Sequence, residues 1–264
     1  MTGRVQSVCK AMDLLACLAQ AKGPLSLGEL SARTGIPKTT VHGLLSSMRA
    51  SAVVEQSEAD GRYRLGVRLF EYGCAVSRGW NVLEAAAEPL RHAAEETGET
   101  VSLASLDRGE VLVLDCADAR SGLRVVSEKG ARLPVHCTSL GKLLLAYLPS
   151  AQQKSVLRAC DFAAYTPHGH TSAASLETEL KEIRRQGYAL ENGEYRIGLR
   201  SVSAPVFDVD GKVPYAVGVV GMFRRIQSPE MEKSVKLILE AAARISYGIG
   251  YRGAYGKELG YAAN

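Results

Sequence analysis

Residues 26–48 read SLGELSARTGIPKTTVHGLLSSM, and the spacing inside this stretch decides the first domain. Ser26 stands three residues before Glu29, the separation at which a hydroxyl and a carboxylate each satisfy a free backbone N–H of a new helix turn. The spacing predicts a short helix over Leu27–Arg33, a turn at Thr34-Gly35-Ile36, and a further helix with Pro37 as its first residue, where the missing N–H costs nothing. In that helix Val41, Leu44, Leu45 and Met48 fall at i, i+3, i+4 and i+7 and form the packing face. The opposite face carries Lys38, Thr39, Thr40, His42, Gly43 and Ser46, short or polar groups that can approach base-pair edges in a major groove without clashing.

Working outward, Val8, Met12, Leu15 and Ala19 follow at steps of three and four, one stripe of an amphipathic helix stopped by Gly23-Pro24. On the other side, Ala52–Gln56 and Arg62–Leu65 read as extended runs joined at Asp60-Gly61. Alternation along the second run puts Arg62 and Arg64 on one side, suited to phosphates. Three helices and a ribbon predict a winged helix-turn-helix over residues 1–66. Residues 1–80 hold 10 Lys and Arg against 6 Asp and Glu, which accounts for the whole formal charge of +4. A basic head on a neutral body fits polyanion binding. A head that binds protein, as part of a purely sensory module, is the alternative the pattern leaves open.

The 264 residues are 46% hydrophobic and 23% charged, which excludes disordered and low-complexity classes. Apolar runs such as Val111–Leu114 and Ala216–Val220 are far short of the ~20 residues of a membrane span. The first ten residues lack the apolar core of a secretory signal, so a cytoplasmic location without membrane partners is expected. Six cysteines without a CxxC pair read as buried apolar thiols in a reducing compartment.

Arg4-Val5-Gln6-Ser7-Val8, Leu27-Gly28-Glu29-Leu30, the run from Ile36-Pro37-Lys38 to Val41-His42, and Tyr63-Arg64-Leu65-Gly66 resemble the IclR family of bacterial transcriptional regulators. The resemblance implies that the head binds DNA. It also implies that residues 67–81 form a linker helix, with Leu69, Phe70 and Gly73 on a buried seam and Trp80 at its end. One departure is Gly43, where the family usually has arginine; a glycine offers no phosphate or guanine contact, so the operator should differ from a typical family site.

After a helix over Leu83–Thr97, residues 82–250 read as strand–strand, helices, strand–strand, helix. The hairpins lie at Asp107-Arg108-Gly109 and Asp210-Gly211, with a strand at Leu123–Ser127 and helices at Ser139–Tyr147, Ala151–Ala159 and Leu176–Gln186. Strands Val202–Val209 and Lys212–Met222 and a last helix opening at Ser228-Pro229 complete an α+β arrangement, followed by a tail at 251–264. Leu133-Pro134-Val135-His136-Cys137-Thr138-Ser139-Leu140-Gly141-Lys142 and Gly198-Leu199-Arg200-Ser201-Val202 extend the family resemblance to a GAF-like effector domain.

Thr138-Ser139-Leu140-Gly141 is a strand-to-helix turn whose first N–H groups lack internal partners, a natural carboxylate site. The resemblance places a small-molecule effector there, with Leu140 and Gly141 donating amides beside Ser139. Glu191 stands where some members have aspartate, Ser201 where some have cysteine, and Gly218 and Val220 where some have hydroxyl side chains. Loss of two hydroxyls should enlarge and dry the pocket and favour an apolar or aromatic carboxylate-like effector.

Three other patterns carry less. Gly248-Ile249-Gly250-Tyr251-Arg252-Gly253 matches GxGxxG but follows a helix near the terminus. His168-Gly169-His170 with Cys160 lacks a defined fourth ligand for zinc. Ser139 or Cys137 as nucleophile with His136 as base would make a hydrolase, the alternative from another class. The reading adopted is a non-enzymatic, ligand-responsive repressor without metal or cofactor. It would grip double-stranded DNA at a pseudo-palindromic operator as a homodimer or dimer of dimers.

Overall fold

The computed structural model describes residues 4–77, 81–118, 128–223 and 225–255. The chain divides into two compact units, residues 1–80 and 81–264.

The first unit contains α1 (Gln6–Gln20), α2 (Leu27–Thr34), α3 (Lys38–Ala50), β1 (Val54–Gln56), β2 (Tyr63–Leu65) and α4 (Arg68–Ser77). The capping box forms: Glu29 N–H donates to Ser26 Oγ at 3.2 Å and Ser26 N–H to Glu29 Oε2 at 2.8 Å. Gly35 ends α2 in the left-handed region at φ +69°. Pro37 caps α3 from one residue outside it, because its extended ψ of 140° precedes the helix. Leu14, Leu18, Leu30, Val41, Leu45 and Tyr63 form the core, and β1 and β2 pair antiparallel.

The apolar face of α1 differs from the expected one. Leu14 and Leu18 are buried with Ala11 and Leu15 beside them, whereas Val8 and Met12 are each 59% exposed. Both sets satisfy helical spacing, so periodicity alone could not choose between two overlapping apolar faces. On α4 the expected seam residues Leu69, Phe70 and Gly73 are not buried. Among its described side chains none is buried, and Phe70 is 72% exposed. Trp80 lies outside the described residues.

The second unit contains α5 (Asn81–Thr97), β3 (Thr100–Asp107), β4 (Glu110–Ala117), β5 (Arg132–Leu133), α6 (Ser139–Tyr147), α7 (Ser150–Ala159) and α8 (Ala173–Gln186). It continues with β6 (Ala189–Asn192), β7 (Arg200–Val206), β8 (Tyr215–Gly221) and α9 (Pro229–Gly248). The six strands form one antiparallel sheet in the order β5-β4-β3-β8-β7-β6. Helix α6 and helix α8 pack over Ala104, Ala189 and Ala216. Strand alternation turns Val101, Leu103, Val217 and Val219 to the other face, where α5 and α9 pack together on the sheet.

Strands β5 and β6 were not foreseen, being too short to show alternation. The expected strand at Leu123–Ser127 lies outside the described residues. Gly248 ends α9 with no strand before it, so the GxGxxG match is a coincidence. The start of the tail packs on its own unit: Tyr251 stacks on Phe207 at 5.0 Å and the Tyr255 hydroxyl donates to Pro205 O at 2.7 Å.

Lys142 on α6 is fully buried. Its ammonium donates to Glu179 Oε1 at 2.6 Å and Glu194 Oε1 at 2.5 Å, and His170 Nε2 lies 2.6 Å from Glu179 Oε2. Breaking such a network from one side leaves carboxylates uncompensated in the interior. Lys142→Ala should therefore cost about 3–5 kcal/mol of stability. Calorimetric unfolding of the full chain should show this as a lowered transition, partly restored by adding Glu194→Gln.

Candidate functional site

On α3, Val41, Leu45 and Met48 point inward. Lys38, Thr39, His42, Gly43 and Ser46 are therefore exposed and Thr40 half-buried, the arrangement the spacing predicted. A Cβ at Gly43 would meet nothing within 4 Å, so this position has room for a long side chain. The two ribbon cations are already engaged. Arg62 Nη1 donates to Glu29 Oε2 at 3.0 Å and Pro24 O at 3.2 Å, and Arg64 Nε donates to Glu55 Oε2 at 2.9 Å. Local spacing does not reveal the two glutamate partners, which lie 33 and 9 residues away. Both pairs are solvent-exposed, so each is worth little and can be exchanged for a phosphate.

A cavity holding about 570 Å³ of empty space, part of it open to solvent, lies between the start of α6 and the sheet. Register builds its floor. Ser102 on β3, Gly218 on β8 and Ser203 on β7 form one row across the sheet. Two residues along, Thr100, Val220, Ser201 and Glu191 form the next. The expected residues Ser139, Leu140, Glu191, Ser201 and Val220 all line this cavity.

Gly141 does not line it. Its N–H donates to Thr138 Oγ1 at 3.2 Å, and a Cβ there would lie 2.3 Å from Val135 O. Residue 141 is glycine because backbone passes against backbone, and its amide is already used. Ser139 and Leu140, at the first two helix positions, are left with N–H groups that have no partner inside the helix.

The space left by the missing side chain at Gly218 is not empty. A Cβ at Gly218 would sit 2.2 Å from Ser203 Oγ, so Ser203 occupies the room the missing side chain leaves. Ser203 Oγ in turn lies 2.6 Å from Ser139 Oγ, and Ser102 Oγ is buried without a hydrogen-bond partner. Hydroxyls absent from β8 are thus supplied by β3, β7 and α6. Ser102 and Ser203 are not legible in the sequence because only the strand register brings them together, and Tyr195 reaches the cavity from the loop after β6.

Glu191 is 3% exposed. Its Oε1 accepts from Glu194 N–H at 2.6 Å and Tyr195 N–H at 3.2 Å, and its Oε2 from the Ser201 hydroxyl at 3.1 Å. Burial nevertheless holds its pKa above the ordinary 4.5, outweighing those bonds.

The hydrolase constellation is not assembled. Burial pushes the Cys137 thiol up to about 12, Ser139 faces another serine, and His136 is held by Ala163 O and Cys160. The His168, His170 and Cys160 pattern is dispersed too, since His170 binds Ser175 and Glu179 while Cys160 faces His136.

A carboxyl whose folded pKa is raised loses stability as pH climbs from its unfolded value through its folded value. Glu191→Gln keeps an acceptor for both backbone N–H groups and removes that titration. The stability difference between variant and wild type should grow in the variant's favour as pH rises above 4.5. Denaturant unfolding across a pH series reads it; a constant difference would show that Glu191 titrates normally.

The family model for the C-terminal domain of bacterial IclR transcriptional regulators matches residues 74–247, and that for the IclR helix-turn-helix domain matches residues 7–58. The transcriptional repressor IclR of Escherichia coli is 30% identical over 94% of this chain and 92% of its own. The HTH-type transcriptional regulator BhcR of Paracoccus denitrificans is 31% identical over 95% of this chain and 90% of its own. Among solved structures, a regulator from Alicyclobacillus acidocaldarius shares 30% identity at a TM-score of 0.82, covering 94% of this chain and all of that one. An IclR homologue from Microbacterium hydrocarbonoxydans, complexed with 4-hydroxybenzoate, has the same fold at a TM-score of 0.83 and 23% identity, covering 92% of this chain and 98% of that one. With both domain models matched in order along most of its length, the chain belongs to the IclR family of bacterial transcriptional regulators and is a DNA-binding regulator rather than an enzyme.

Proposed function

We propose that this regulator is a repressor whose operator affinity is set by an aromatic or apolar carboxylate held in the serine-floored cavity. The observation that carries this reading is the pairing of two helix-start N–H groups, at Ser139 and Leu140, with a buried hydroxyl, Ser102, that has no partner of its own. The N–H groups suit a carboxylate. Leu133, Leu140, Leu199 and Val220 suit an apolar body, and the serines and Glu191 suit a polar substituent at its far side. That a protein of this fold is complexed with 4-hydroxybenzoate supports an aromatic acid as a shape the architecture admits.

Operator recognition falls to the exposed face of α3. Lys38, Thr39, Thr40, His42 and Ser46 face bases or the adjacent backbone, while Arg62 and Arg64 exchange their acidic partners for phosphates. A homodimer, or a dimer of dimers, reads a pseudo-palindromic site. The exposed Val8 and Met12 on α1 and Phe70, Tyr72 and Val76 on α4 support self-association of the head and linker. Residues 67–81 then act as the linker between head and effector domain. Effector and operator alter each other's affinity by the same factor.

In mobility-shift assays on the DNA upstream of its own gene, affinity should fall steeply with salt, as phosphate contacts require. Gly43→Arg should fold normally and change sequence preference. No binding at low ionic strength would contradict the operator role. In calorimetry against a panel of acids, aromatic carboxylates should bind, and Ser139→Ala should weaken them about fivefold, the loss of one hydrogen bond. Tight binding of small keto acids with none of aromatic acids would contradict the effector class.

A further inference from the structure

We propose that His136, Cys160 and Asp161 bind one soft divalent cation of the zinc class, in a second cavity distinct from the effector site. This cavity holds about 840 Å³ of empty space, part of it open to solvent, and is lined by these three residues with Arg132, Tyr165 and Tyr195 among others. One ligand atom from each of the three lies within 4.8 Å of the other two.

The imidazole is set up as a ligand. His136 is 1% exposed and its Nε2 lies 3.0 Å from Ala163 O. A carbonyl only accepts, so Nε2 carries the ring proton and the lone pair is on Nδ1. Anchoring one ring nitrogen on a carbonyl is the usual support of a metal-bound histidine. The Nδ1 lone pair faces Cys160 Sγ at 3.4 Å. A tetrahedral zinc ion with ordinary Zn–N and Zn–S bonds holds these two atoms about 3.5 Å apart. The pair therefore already stands at the separation that a shared metal requires.

The loop that supplies the other ligands is shaped around the ring. Phe162 has φ +48°, a left-handed conformation that is strained for a bulky residue. This turn directs Cys160 and Ala163 O to opposite nitrogens of one imidazole. Asp161 Oδ1 accepts Ala163 N–H at 3.2 Å, and its exposed carboxylate is free to swing toward the metal. Arg132 pairs with Asp107 and Glu110, so its charge is already balanced. Entry of the cation displaces the thiol proton to solvent, leaving a thiolate, an imidazole and a carboxylate with a fourth position open to the cavity.

His136 stands three residues before Ser139, and Tyr195 lines both cavities. A bound cation would fix the approach to α6 and so couple to effector binding. That coupling rests on the effector reading above, whereas the metal site does not.

The test is titration of metal-free full-length protein with Co2+, followed by absorption and then by Zn2+ competition. One equivalent should bind with a thiolate-to-cobalt charge-transfer band, and Zn2+ should displace it. Cys160→Ser should abolish the band, and Asp161→Asn should weaken binding at least about tenfold. His170→Asn, which alters the other histidine considered, should leave the titration unchanged. Circular dichroism establishes that each variant is folded. Absence of the band in wild type, an unchanged titration in Cys160→Ser, or its loss in His170→Asn would overturn the site.

Discussion

The close passage of the first turn of α6 over the Val135 backbone is the constraint on which the effector domain depends. It exists because residue 141 has no Cβ; one added there would lie 2.3 Å from a carbonyl oxygen. With that turn seated and its Gly141 amide capped by Thr138, Ser139 and Leu140, whose N–H groups have no partner inside the helix, line the cavity. The same seating sends Lys142 inward to Glu179 and Glu194 and holds His136, on the approach to the helix, against Ala163 and Cys160. One glycine therefore positions the proposed carboxylate site, a buried ion network and the proposed metal ligand within seven consecutive residues.

The cavity shows how a polarity can be relocated without being lost. Gly218 and Val220 on β8 remove two possible hydroxyls, yet Ser203 leans into the space over Gly218 and meets Ser139, while Ser102 waits buried and unpartnered on the adjacent strand. An unsatisfied buried hydroxyl is costly, so a ligand with a polar atom at that point is favoured over one that is apolar throughout.

Features encoded by local spacing were legible in the residues. The capping box at Ser26 and Glu29, the bounds of α6 and the turn glycines were read directly, because each depends on atoms a few residues apart. Features encoded by packing were not. The apolar face of α1 was misplaced because two stripes share helical spacing and only the core selects Leu14 and Leu18. Arg62 and Arg64 gave no sign of Glu29 and Glu55. The serines of the cavity floor are separated by up to about a hundred residues and meet only through strand register. The family resemblance supplied the neighbourhood of the proposed site, and the backbone geometry shows that the Gly141 amide there is already taken by Thr138.

The central claim is that the first two amides of α6, and not the third, receive the carboxylate of the effector. Amide resonances of Ser139, Leu140 and Gly141 in nitrogen-labelled protein, followed while an aromatic carboxylate is added, measure this directly. Large saturable shifts at Ser139 and Leu140 with a much smaller change at Gly141 are the predicted result. Saturable binding that leaves Ser139 and Leu140 unmoved would contradict it.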